Sequence, residues 1–185
     1  MSTKKTQLFL ALTAAAGLSF LASSAHAFDG TITFNGEVTT QTCAPTTGTK
    51  NLVVPMETVS AVELAGSAGA PIKLTPFSIM LTGCTPSSGN VLIAFNSAGN
   101  LDSDTNQLTP DAGGATNVQI RLVNASDSSK ILVGAEPESQ NSEPASIGTD
   151  GTVTLNYKAG YVQIGADMAT AGAVTAKAEY TITYQ

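Results

Sequence analysis

The sequence predicts an all-β antiparallel sandwich. Apolar and polar residues alternate with period 2 in many short runs, and helical periodicity is nearly absent. Clusters of Gly, Ser, Asn and Pro separate the runs, as in Pro86-Ser87-Ser88-Gly89-Asn90 and Asp111-Ala112-Gly113-Gly114. About eight short strands with turns between them build such a sandwich.

The elements follow in order. Lys4 and Lys5 precede an apolar, uncharged run from Leu8 to Ala22, and Ala25-His26-Ala27 supplies small residues at the −3 and −1 positions of a cleavage site. This is the pattern of a signal peptide over residues 1–27. The run is shorter than the roughly 20 residues that span a bilayer. Residues 31–40 then read as a strand, and Leu52–Val54 as a short one. Thr58–Ala65 allows a single helical turn. Pro76–Thr82 places Phe77, Ile79 and Leu81 on one face. Val91–Asn96, Val118–Asn124, Ile131–Gly134, Thr152–Tyr161 and Val174–Tyr184 complete the strand set. Gly134–Asp150 is polar and reads as a long surface loop. Neither an internal repeat nor a linker divides residues 39–185, which suit one domain.

Composition excludes several functions. The chain has 14 acidic and 8 basic residues, with a formal net charge of −6. Loss of residues 1–27 removes Lys4, Lys5 and the single histidine, His26, and Arg121 is the one arginine. An acidic chain this poor in arginine is unsuited to nucleic acid, whose phosphates are held by Lys and Arg. Without histidine, the serines lack the base of a Ser-His pair. No catalytic residue, cofactor or metal is therefore expected. Asp102-x-Asp104-x-Asn106 opens like a calcium loop, but Gln107 and Gly113 stand where glycine and glutamate are required. Cys43 and Cys84, behind a secretory leader, predict one disulfide. Two thiols without histidine do not complete a four-ligand zinc site. Closing a loop of that size stabilises the fold by roughly 4 kcal/mol in the chain-entropy model.

The termini are both amphipathic strands. Phe28, Gly30, Ile32, Phe34, Gly36 and Val38 share one face, opposite Asp29, Thr31, Thr33, Asn35 and Glu37. At the other end, Ala178, Tyr180, Ile182 and Tyr184 share a face. Alternation alone fits the first and last strands of any sandwich. However, an apolar-faced strand at the first mature residue is unusual, because domain termini tend to fray.

The order of several short motifs resembles the type 1 fimbrial (chaperone–usher) pilin family over essentially the whole mature chain. These are Gly30-Thr31-Ile32-x-Phe34-x-Gly36-Glu37-Val38, Cys43, Phe77-x-Ile79-x-Leu81-Thr82-Gly83-Cys84 and Val118-Gln119-Ile120-Arg121-Leu122. Leu155-x-Tyr157-x-Ala159-x-Tyr161 and Ala176-x-Ala178-x-Tyr180-Thr181-Ile182-x-Tyr184-Gln185 follow, with Gly172 fourteenth from the end. The resemblance implies an incomplete immunoglobulin-like sandwich that lacks its last strand. A neighbouring subunit would complete it by donating its N-terminal extension.

Residues 28–38 would be that extension, with Phe28, Gly30, Ile32 and Phe34 as donor side chains. Gly172, Ala178, Tyr180, Ile182 and Tyr184 would flank the groove and meet the chaperone. Only Phe28 and Asp29 precede Gly30, so Phe28 would be the outermost donor side chain, beside the new α-amino charge. The implied partners are identical or related pilin subunits, a periplasmic chaperone and an outer-membrane usher. The implied location is the cell-surface fimbrium, reached through the periplasm, and a receptor would be met through the assembled fimbria. A minor subunit (adaptor, terminator or small adhesin) is the alternative within the family. A free carbohydrate-binding module is the alternative outside it, but aromatic residues form 5% of the chain and give sugar stacking little to work with.

Overall fold

The computed structural model of the chain describes residues 42–67 and 69–185. The expected leader (1–27), donor extension (28–38) and strand over 31–40 lie outside the described residues. Nine antiparallel strands are present among them: β1 Thr42–Pro45, β2 Ile72–Thr85, β3 Asn90–Ser97, β4 Leu101–Asp102, β5 Gln107–Leu108, β6 Val118–Asn124, β7 Ala145–Ser146, β8 Val153–Gln163 and β9 Ala178–Tyr184. They form a six-stranded sheet, β1-β2-β8-β6-β5-β4, and a three-stranded sheet, β7-β3-β9.

Alternation decides which side chains enter the core. Val118, Ile120 and Leu122 of β6 point inward, as do Val153, Leu155, Tyr157, Ala159 and Tyr161 of β8 and Ile79 and Leu81 of β2. Val91, Ile93 and Phe95 of β3 face them from the small sheet. Each large apolar side chain buried here contributes about 1.5–3 kcal/mol. Phe95 meets Tyr157 edge-on at 5.0 Å between ring centroids, and Phe77 packs on both rings at 6.4 and 5.7 Å. The Tyr157 hydroxyl, deep in this cluster, is pushed up to about 12 by burial.

Pro76 lies inside β2 opposite Lys158 of β8, whereas β1 joins β2 only from Leu81 to Thr85. The missing N–H of proline is tolerated where a strand has no second neighbour. Cys43 and Cys84 are disulfide-bonded and tie β1 to the end of β2. A one-turn helix, α1 (Thr47–Lys50), follows β1, and α2 (Ala61–Ala65) begins on Ser60, whose Oγ accepts from Glu63 N.

Four expectations are corrected. Leu52–Val54 is not a strand. Leu52 and Val53 are 40% and 84% exposed in irregular backbone with no pairing partner among the described residues, and β-branched residues form a strand only against a ladder. Ile131–Gly134 is buried but does not form a strand beyond one bridge, Val123 to Lys130. It threads through the interior, and Ile131 N, Leu132 N and Gly134 N donate to three separate carbonyls, Leu122 O, Gln140 O and Phe95 O. Gly134–Asp150 is not a plain surface loop: it contains a 3-10 turn at Pro137–Ser139, strand β7, and the buried Gln140, Ser142 and Ile147. The final strand also starts later than Val174. Residues 173 and 175 instead accept from Ala115 N and Asp111 N through backbone bonds of 2.9 and 2.8 Å.

Candidate strand-acceptor edge

β9 pairs with β3 along its whole length, from Ala178 opposite Ser97 to Tyr184 opposite Val91. Its other side has no strand neighbour among the described residues. Such an edge presents a row of unpaired backbone groups. The side chains that β9 turns inward, Tyr180, Ile182 and Tyr184, pack against the core but remain half-buried. Their direct partners on β3, Phe95, Ile93 and Val91, are 3% exposed or less. The core is therefore covered on the β3 side and left partly open along β9.

The far wall of this opening is β1 with α1. Two tyrosine hydroxyls reach it: Cys43 N donates to the Tyr184 hydroxyl at 2.7 Å, and the Tyr180 hydroxyl donates to Thr49 O at 3.1 Å. The disulfide holds Cys43 in place for the first of these bonds. Burial raises the Tyr180 hydroxyl above its ordinary value, so it remains a neutral donor at neutral pH.

The two edges of the small sheet are treated differently. β7 covers β3 only at Asn90 and Val91. Farther along, the Gln140 side chain takes the place of a strand: Phe95 N donates to Gln140 Oε1 at 2.7 Å, and Gln140 Nε2 donates to Phe95 O at 3.0 Å. Nε2 also donates to Ala135 O at 2.8 Å. This closes the β3 edge with a fully buried amide and leaves β9 as the open one.

Of the residues singled out from the sequence, Tyr180, Ile182 and Tyr184 lie together on this edge, and Ala178 begins it as an exposed residue. Gly172 lies outside β9, in the bend before it. A Cβ there would sit 2.8 Å from Ala115 N and 3.2 Å from Gly114 C, so its role is close backbone packing. Phe28, Gly30, Ile32 and Phe34 fall outside the described residues. Gln140, Thr49 and the Cys43 amide were not signalled by local pattern, because each works through a partner distant in sequence. The Asp102 carboxylate accepts from Asp104 N, Thr105 N and Gln119 Nε2, the last lowering its pKa most, so it serves its own turn. Among the described residues no group of three His, Cys, Asp or Glu is arranged to hold a metal.

Residues 32–185 match the family described as Fimbrial protein. The chain is 45% identical to the F17 fimbrial protein of Escherichia coli, over 98% of this chain and 99% of the relative. It is 43% identical to the major fimbrial subunit SMF-1 of Stenotrophomonas maltophilia, over 87% and 95%. A chain from a solved chaperone–usher pilus shares the fold with a TM-score of 0.57 at 22% identity, over 85% and 96%.

Proposed function

Because the chain belongs to the fimbrial protein family, we propose that it is assembled by strand donation into the open edge at β9. It is a structural pilin subunit that polymerises with related subunits in a surface fimbrium. The reading is carried by one observation: among the described residues β9 has no strand neighbour on the side where Tyr180, Ile182 and Tyr184 leave the core half-covered.

In this proposal residues 1–27 direct export and are removed, residues 28–38 form the donor strand, and residues 39–185 form the acceptor domain. A donated strand along β9 supplies backbone partners, and alternate side chains fill the opening. Phe28, Ile32 and Phe34 are the donors that enter it, and Gly30 passes where the floor is shallow. Burying those three would contribute on the order of 5–8 kcal/mol. A periplasmic chaperone lends its strand first and is displaced at the outer-membrane usher. Donor and acceptor surfaces differ, so the contact is heterologous and extends without closing. The role assigned to the chain is structural and needs no catalytic group.

The test compares the full-length chain with one lacking residues 28–35, in periplasmic and surface extracts. The expected result is a heat-labile, SDS-resistant ladder from the full-length chain and none from the truncation. Equally stable monomers from both would sink the proposal and favour a free binding module.

A further inference from the structure

The outer face of the large sheet carries a cluster of positive charge. On β6 the residues turned away from the core are Gln119, Arg121 and Val123, opposite Val162, Gly160 and Lys158 of β8. Gln119, Val123, Gly160 and Val162 are buried, and Arg121, Lys130 and Lys158 are half-buried around them. Lys130 bridges Val123 from the other side. Lys130 and Lys158 thus flank Val123, and Arg121 stands two residues along the same face. Diagonal neighbours on a sheet lie about 7–8 Å apart. Three of the chain's eight cationic residues share this patch.

None of the three is ion-paired among the described residues. Lys130 Nζ donates to Thr105 O at 2.5 Å, Lys158 Nζ to Ala125 O at 2.8 Å and Arg121 Nε to Gln107 Oε1 at 2.8 Å. Among the described residues, both ion pairs belong to Lys73. The nearby carboxylates are hydrogen-bonded close to home, Asp102 by its own turn and by Gln119, and Asp127 by Ser129 N. Each also faces one lysine, Asp102 facing Lys130 and Asp127 facing Lys158. The Lys130 ammonium is held below its usual value by desolvation first and by Arg121 next, with Asp102 opposing. Cations crowded in this way are stabilised by an anion from outside.

The chain itself offers that anion. Glu136 and Glu138 flank Pro137 at the 3-10 turn, both exposed, and neither carboxylate has a hydrogen bond or ion pair among the described residues. The turn packs on β3 of the small sheet and is anchored through Gln140 N to Pro137 O.

We propose that the Arg121–Lys130–Lys158 patch docks the Glu136-Pro137-Glu138 turn of a second copy of this chain. The contact is separate from strand donation and rests on the subunit reading above. It is heterologous, so it repeats along a filament, and it weakens with salt. Its function is to set how subunits joined by donated strands pack against one another.

The test treats intact fimbriae with a water-soluble carbodiimide, which joins a carboxylate to a lysine amine only at contact. Boiling then breaks strand-donated links and leaves amide links. The expected result is boil-resistant multimers in which peptides bearing Glu136 or Glu138 are joined to Lys130 or Lys158. Their yield should fall about tenfold when coupling is done in about 1 M salt. It should fall as far in a Lys130→Arg, Lys158→Arg variant, which keeps the charge but removes the amines. Boil-resistant links confined to other lysines, or none at all, would overturn the docking proposal while the unboiled ladder persists. Absence of that ladder from the untreated full-length chain would overturn the subunit reading, and this contact with it.

Discussion

Gln140 offers the sharpest quantitative prediction, because one side chain closes an edge that strands close elsewhere. In Gln140→Ala, Phe95 N loses its acceptor and Ala135 O loses the donor that Gln140 supplied. Phe95 O retains its bond from Gly134 N. A buried N–H left without a partner costs about 1–3 kcal/mol, and each of the other two bonds contributes about 1 kcal/mol. The expected loss is therefore about 3–5 kcal/mol. With a urea slope of about 1.5–2 kcal/mol/M, the unfolding midpoint of the mature chain should fall by about 2 M. Gln140→Leu keeps the volume but loses the bonds, and should fall nearly as far. The assay is equilibrium urea unfolding followed by circular dichroism. Shifts below about 0.3 M in both variants would refute the idea that this amide holds the β3 edge.

Three further predictions follow from the same structure. Gly172→Ala places a Cβ 2.8 Å from Ala115 N, and thermal or urea unfolding should report a loss of about 1–3 kcal/mol. Replacing Cys43 and Cys84 together by serine frees a loop with a sequence separation of 41 and should cost about 4 kcal/mol, measured as a lower urea midpoint. Tyr157 keeps its proton in the folded state up to about 12, above its ordinary 10.0. Stability from this group is complete below pH 10 and falls as pH rises through 12, by roughly 3 kcal/mol in all. Alkaline unfolding of Tyr157→Phe should lack that part of the decline.

The strands legible in the sequence are those whose alternation coincides with the face turned to the core. Val118–Asn124 was read to the residue, because Val118, Ile120 and Leu122 enter the core with polar residues at Gln119 and Arg121 between them. Thr152–Tyr161 was nearly as clear for the same reason. Ile131–Gly134 misled because burial and strand pairing are different things: Ile131 and Val133 are fully buried, yet their backbone serves scattered partners. Gln140 was invisible for the opposite reason, as a polar residue in a polar stretch that is buried only because Phe95 receives it. The open edge was half legible. The tyrosine alternation of β9 is local, but the bonds that fix its far wall link Cys43 with Tyr184 and Thr49 with Tyr180, separations of 141 and 131 residues. No local pattern encodes such contacts.

Strand addition at β9 is tested most directly by amide hydrogen exchange, comparing assembled fimbriae with the unpolymerised mature subunit. The β9 amides that do not pair with β3 should exchange freely in the subunit and become strongly protected in fimbriae, with little change along β7. Equal exchange of β9 in both states, or new protection along β7 instead, would contradict the account.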